Sequence, residues 1–240
     1  MKWIKYQNEA WYEVFSSIYD KKPVISQIPF TSTDYHYLPP CEGNKVIALA
    51  YNYKSLVGKD TNFDEPLFFF KSSTGLIGHH DQVLYPDFGN NVWLEAELSI
   101  VIGAKGKNIS MEEVDDYILG YTCGNDITCE NIHNRDWHLA RSKGLDTFCP
   151  LGPYLVKGID TDSLIIRSFI NGKMVQNSNT SDRIFNDKQS VCLISKYITL
   201  MPGDVILTGT PAGATDAIIR RGDQIKIEIE NIGTLINTVK

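Results

Sequence analysis

The chain has 240 residues, 42% hydrophobic and 22% charged, proportions ordinary for a folded soluble protein with a substantial core. A net charge of −6 leaves no basic surplus for nucleic acid or an anionic membrane, and no apolar run reaches the ~20 residues of a spanning helix. Five cysteines without a Cys-x-x-Cys pair, and an N-terminus too polar for a signal peptide, fit reduced thiols in the cytoplasm.

Residues 1–43 read as a small leading segment. Glu9 to Tyr19 carries Trp11, Val14, Phe15 and Ile18 at helical spacing, and Pro23, Pro29 and Pro39-Pro40 punctuate the stretch after Tyr19. Pro39-Pro40-Cys41-Glu42-Gly43 is the expected boundary with a domain covering 44–240. Lys45 to Ala50 is expected to be a buried strand. Asn52 to Glu65 turns polar, either a plain surface connection or a mobile loop of the kind that covers active sites. Pro66 to Ser72 predicts a second buried strand, ending at Lys71, and His79-His80 falls in a Gly/Asp-rich turn as ordinary surface.

The run Val92-Trp93-Leu94-Glu95-Ala96-Glu97-Leu98-Ser99-Ile100-Val101-Ile102-Gly103 organises the middle of the chain. At a strand period of two, Leu94, Ala96, Leu98, Ile100 and Ile102 share one face, and Glu95, Glu97 and Ser99 the other. Two carboxylates about 7 Å apart in so apolar a segment repel unless a cation lies between them. The plainer alternative is the wet face of an antiparallel strand. A third acid, Asp126, stands at the start of what reads as a short strand. Three carboxylates without a nearby Cys or paired His form a hard oxygen set, suited to Mg²⁺, Mn²⁺ or Ca²⁺ rather than Zn²⁺.

Downstream, Ser110-x-x-Glu113 predicts a capping box, with Val114, Tyr117, Ile118 and Tyr121 as the apolar stripe of a short helix. Glu130 to Arg141 reads as helical, ending at Ser142-Lys143-Gly144. Ile165 to Gln176 predicts a hairpin around Asn171-Gly172. Met201-Pro202-Gly203-Asp204 is a turn feeding the strand Val205 to Thr208, and Gly209-Thr210-Pro211-Ala212-Gly213 is a backbone-permissive loop. Ile225, Ile227 and Ile229 alternate with charges in a half-buried strand. The fold class is α+β, mostly β, with a few short helices. Phosphate-loop, dinucleotide, His-Glu-x-x-His and Gly-x-Ser-x-Gly motifs are missing from the sequence.

Trp93 to Leu98, Gly120 to Asp126, Lys143 to Pro153 and Pro202 to Gly213, with Phe69-Phe70-Lys71 and Asn171-Gly172, together resemble the fumarylacetoacetate hydrolase family from about Lys45 to the C-terminus. The resemblance implies a mixed β-sandwich roll, usually a homodimer, that binds Mg²⁺ or Mn²⁺ through Glu95, Glu97 and Asp126. It implies a small-molecule 2-oxo acid or its enol as substrate, with Lys143 as the active-site lysine. Thr210 would hold the substrate carboxylate, and Lys71 joins the expected substrate-binding residues. The implied chemistry runs through a cation-stabilised enolate, by C–C hydrolysis, decarboxylation or isomerisation.

One family feature is replaced. Where many family hydrolases read Asn-Tyr-x-x-His-x-x-Glu, this chain reads Asn52-Tyr53-Lys54-Ser55-Leu56-Val57-Gly58-Lys59, and Leu56 cannot take a proton. Positions that hold Arg and Gln in some members are Glu130 and His133, one helical turn apart. They form either a new acid–base pair, with His133 catalytic, or an ordinary partly buried histidine beside an acid. Loss of the dyad favours isomerisation or decarboxylation over hydrolysis. It also leaves open a degenerate member that binds a small carboxylate without turnover.

Overall fold

The structure is a computed structural model that describes residues 2–3, 38–41, 43–58, 63–88, 91–130 and 140–240. The expected leading helix, most of the segment 1–43, the segment 131–139 and Lys59 lie outside the described residues. Strands dominate, as expected, and form curled sheets.

An eight-stranded sheet carries the site. Its central strand, Ala96–Ile102, is buried along its whole length on both faces. On one side it pairs antiparallel with Ile118–Asn125, with Ala96 opposite Asn125 and Glu97 opposite Gly124. On the other side it pairs with Val205–Leu207, followed by Val46–Ala50 and the edge strand Leu67–Lys71. Cys149–Val156 extends the sheet beyond Ile118–Asn125, and Lys2–Trp3 pairs with its end. A five-stranded sheet packs against this one through Leu98, Ile166, Ile227, Ile229 and Leu235. It is built on the hairpin Ile165–Ile170 and Lys173–Asn179 and the strands Gln224–Ile229 and Gly233–Val239. The hairpin turns where expected, with φ of 49° at Asn171 and 79° at Gly172, conformations that Asn-Gly adopts at least cost.

Several local expectations are corrected. The run from Val92 to Gly103 is not one strand. Val92–Trp93 belongs to a small three-stranded sheet, and the chain crosses at Leu94-Glu95 into the large one. Leu67–Lys71 is an edge rather than a buried strand, with Leu67 and Phe70 47% and 55% exposed. Ser110 does not cap through its oxygen: its hydroxyl donates to Glu113 at 2.9 Å. The helix stops at Tyr117, because Ile118 onward pairs with the central strand and puts Tyr121 in the sheet. The polar stretch after Asn52 holds a helical turn, Lys54–Val57. An 11-residue helix, Asp187–Tyr197, was not anticipated, although Asn186 and Gln189 form a full capping box at its start.

The five cysteines are free. His79 is buried rather than ordinary surface, and its Nδ1 accepts the Ile236 N–H at 3.0 Å. Burial, and then His80 beside it, lower its pKa to about 4. Unfolded, the imidazole titrates near 6.5, so the unfolded chain takes up a proton that the native state refuses as pH falls from 6.5 towards 4. Stability contributed here is therefore present above that window and lost on acidification. In His79→Asn, whose Oδ1 can still accept the Ile236 N–H, the fall in melting temperature between pH 7 and pH 4.5 is expected to shrink. An unchanged fall would refute this assignment.

Candidate metal and substrate site

The register of the central pair builds the site. Ala96 opposite Asn125 brings the residues just outside each strand together, so that Asp126 N–H donates to Glu95 O at 3.1 Å. The Asn125 side chain accepts the Glu95 N–H at 3.0 Å, which fixes the crossing between the sheets. Glu97 lies two residues on, and one ligand atom from each of Glu95, Glu97 and Asp126 lies within 4.8 Å of the others. All three are buried, so the solvated-face reading of the Glu pair does not hold.

Two lysines accompany the acids. Lys143, at the end of the helical turn Ala140–Lys143, donates to Asp126 Oδ2 at 2.8 Å and Glu95 Oε1 at 3.1 Å. Lys71, at the end of the edge strand, donates to Asp126 Oδ1, to Ile127 O at 3.2 Å and to Lys143 O at 2.6 Å. An ammonium has three protons. Those of Lys71 all go to the protein, where they hold Asp126 and the Lys143 backbone.

Burial pushes the Asp126 pKa up, but the Lys143 and Lys71 ammoniums outweigh it and hold the carboxyl below its usual range. Glu97 goes the other way, raised well above the usual range by burial, then by Asp126 and Glu95. Lys143 is held charged: burial lowers its pKa, and the carboxylates of Asp126 and Glu95 raise it further than burial lowers it. Three carboxylates against two ammoniums leave one formal negative charge in a region shut off from water. Its donor set is all oxygen, its acids converge, and the acid farthest from the lysines is the one disfavoured as an anion. These residues fit a hard divalent cation.

The acids open onto a pocket lined by Leu49, Leu56, Phe69, Trp93 and Thr210, with Glu95, Asp126 and Lys143 also on its wall. Leu56 brings the stretch after Asn52 onto the wall of this pocket. Thr210 sits in the Gly209–Gly213 loop, where Gly209 has a φ of 91° and donates its N–H to Glu97 Oε2 at 2.6 Å. A Cβ on Gly209 would stand 2.8 Å from Asn52 Cβ, so only glycine permits that approach. Glu130 is held at the surface by Asn91, whose Nδ2 donates to it at 3.1 Å. His133 lies outside the described residues. Sequence reasoning missed Gln176 and, although it placed Asn52 at the head of the Asn-Tyr motif, missed that both tie the Thr210 loop to its neighbours. A lone amide on a strand carries no pattern to find Gln176 by.

The family model for the fumarylacetoacetate (FAA) hydrolase C-terminal domain matches residues 45–240. The chain belongs to the fumarylacetoacetate hydrolase family. Oxaloacetate tautomerase FAHD2A, mitochondrial, of Homo sapiens is 33% identical over 239 residues, 91% of this chain and 74% of that protein. Among solved structures, 5-carboxymethyl-2-hydroxymuconate delta-isomerase from Mycobacterium smegmatis aligns at a TM-score of 0.81 and 38% identity, covering 88% of this chain and 82% of that one. Maleylpyruvate hydrolase from Sphingobium aligns at 0.77 and 29%, covering 94% and 81%. The family's similar members are thus named for isomerase, tautomerase and hydrolase activities.

If the acids repel one another until a cation joins them, removing one charge should separate metal uptake from stability. Glu97→Gln keeps an acceptor for Gly209 N–H but can no longer offer a carboxylate to a cation. We expect Mn²⁺ affinity to fall more than about 100-fold, while the melting temperature without metal holds or rises. Calorimetry and thermal melts check this, and retained Mn²⁺ binding with a lower melting temperature would contradict it.

Proposed function

We propose that the protein is a divalent-cation-dependent enzyme acting on a 2-oxo acid or its enol, and that its reaction is keto–enol tautomerisation or decarboxylation rather than C–C hydrolysis. The observation that carries this reading is the junction of the buried acid triad with a charged Lys143 on a pocket whose wall at position 56 is leucine. Glu95, Glu97 and Asp126 would hold Mg²⁺ or Mn²⁺, which when bound supplies positive charge to the 2-oxygen of a chelated substrate.

The chain's own residues do the rest. Lys143 brings a second fixed positive charge to the oxygen on which negative charge develops, and it does so from a buried position where such a charge acts strongly. The carboxylates of Asp126 and Glu95 beside it favour its charged form, so the role proposed for it is electrostatic. Lys71 keeps Asp126 ionised and orients the Lys143 backbone. Thr210 offers a hydroxyl to the substrate carboxylate. Leu56 presents no group able to activate water, and a positioned base is typically worth 10²–10⁴-fold in a hydrolytic step. Tautomerisation consumes no water: one proton leaves carbon 3 to a carrier and one is delivered to the 2-oxygen, so the step needs a proton carrier but no activated water nucleophile. Relatives named as oxaloacetate tautomerases support the same reading. Beyond Glu95, Asp126, Lys143 and Thr210 the described wall is largely apolar, with Thr215 and Tyr51 also on it, and packing of a substrate's tail there would discriminate by about 1–3 kcal/mol per methylene.

A non-catalytic carboxylate binder is the second reading, favoured by Leu56 alone. Following enol decay of oxaloacetate and of acetylpyruvate by ultraviolet absorbance, with and without chelator, separates the two. Chelator-sensitive acceleration is expected. Thermal stabilisation by ligand with no acceleration would favour the binder. For Lys143→Met we expect turnover to fall about 10²–10³-fold with Mn²⁺ binding retained. Turnover within threefold of wild type would remove Lys143 from the mechanism.

A further inference from the structure

Gln176 sits on the strand Lys173–Asn179, 2% exposed, and all four hydrogen-bonding positions of its amide are taken. Oε1 accepts from Ala96 N–H at 3.0 Å and from the Ser168 hydroxyl at 2.8 Å. Nε2 donates to Thr210 Oγ1 at 2.9 Å and to Pro211 O at 3.0 Å. The orientation of the amide is fixed by its neighbours. Ala96 N–H can only donate, so the atom facing it is oxygen. Pro211 C=O can only accept, so the atom facing it is nitrogen. The Thr210 hydroxyl must therefore accept from Gln176, and its single proton is directed elsewhere. Thr210 is 5% exposed and lines the pocket with Glu95, Asp126 and Lys143.

We infer that Gln176 is a positioning residue that makes Thr210 a hydrogen-bond donor towards a bound carboxylate, and that it sets the distance from that donor to the acid triad. This rests on the function proposed above. Gln176 is not itself among the pocket's lining residues and acts through Thr210. Its second partner explains why the device works as a ruler. Ala96 lies between Glu95 and Glu97, so one amide spans from the acid-bearing strand of the large sheet to the loop that faces the substrate. A carboxylate ligand that chelates a cation on the triad would meet a hydroxyl whose proton already points at it, with no reorientation at the moment of binding.

The alternative is that Gln176 is only glue between two sheets, and a double-mutant cycle separates the two. The probe is oxalate binding to the Mn²⁺-loaded protein, by calorimetry, in wild type, Gln176→Met, Thr210→Val and the double variant. Loss of a hydrogen bond to a charged group predicts an affinity drop of about 10–100-fold in each single variant. The double variant should be no weaker than the weaker single, while Mn²⁺ affinity stays within about threefold. Thr210→Ser, which keeps the hydroxyl, should bind like wild type. Losses that multiply, or oxalate affinity within twofold of wild type in Gln176→Met, would overturn the inference.

Gln176→Met strips partners from Ala96 N–H and Pro211 O and could fail to fold. Neutron diffraction on wild-type crystals grown with Mn²⁺ and oxalate reads the same point without a variant. The Thr210 hydroxyl proton is expected on the oxalate side, and a proton directed at Gln176 would overturn the assignment. If wild type takes up Mn²⁺ but no oxalate, the proposed function falls and this inference with it. Wild-type binding that is indifferent to Gln176 defeats the inference alone.

Discussion

The grip of two lysines on Asp126 is the interaction on which the rest of the site depends. Placing three carboxylates in a water-excluded region is costly, and pairing repays only part of that, so a buried charge cluster is poor evidence of stability gained. Here the pairing is uneven. Asp126 receives both ammoniums, Glu95 shares one, and Glu97 receives a backbone N–H from Gly209. Asp126 is consequently the acid most firmly held as an anion, and Glu97 the one least comfortable as one. That asymmetry leaves three converging carboxylates that could hold a cation. The chain supplies enough positive charge to fold around its acids, and one formal negative charge fewer would leave nothing for a divalent ion to neutralise.

The sheet turns this electrostatic arrangement into a fixed one. Glu97 lies within the central strand, while Glu95 and Asp126 flank the point where that strand and Ile118–Asn125 begin their antiparallel pairing. A one-residue slip would send the acids to the opposite face. Slip is resisted because both faces of Ala96–Ile102 are buried, with Leu98 in one cluster, Ile100 in a second and Val101 in a third. The hydrophobic core thus sets the register, and the register sets the spacing of the carboxylates.

The same logic explains what the sequence could and could not reveal. Alternation marked out the central strand because apolar residues at a period of two leave Glu95 and Glu97 conspicuous. The hairpin at Asn171-Gly172 was legible because its turn has few other sequences. Alternation could not reveal the break at Leu94-Glu95. A strand that changes sheets keeps its side-chain period while it changes partners, and the deciding contacts come from Asn125 and Ala217, 30 residues and more away. The helix Asp187–Tyr197 escaped notice because two of its buried positions are serines, Ser190 and Ser195, which bond to backbone carbonyls and dilute the apolar stripe. The lysines illustrate a sharper limit. Lys71 and Lys143 look alike in sequence, each a cation after an ordered element, yet one is consumed by the protein and the other faces the pocket.

Asn52 joins the pocket wall to the Gly209–Gly213 loop, and this connection gives the replacement of the dyad its structural context. Its amide donates to Thr208 O at 2.8 Å and Phe185 O at 3.0 Å and accepts Phe185 N–H at 2.8 Å, while Gly209 packs against its Cβ. Next to it Tyr53 is fully buried and its backbone pairs antiparallel with that of Arg183, whose guanidinium is locked to Asp187 and to Thr161 O. The stretch that carries Leu56 is thus anchored at its base by a buried polar network, and Leu56 emerges from it onto the pocket wall. Whatever the substitution at position 56 removes in proton-transfer capacity, it removes from a wall whose footing remains intact. An intact frame around an altered wall residue is what a change of reaction within one architecture requires. Under the proposed function, the triad, Lys143 and Thr210 would handle the part of the substrate common to every 2-oxo acid, and the stretch that carries Leu56 would act on the rest of it.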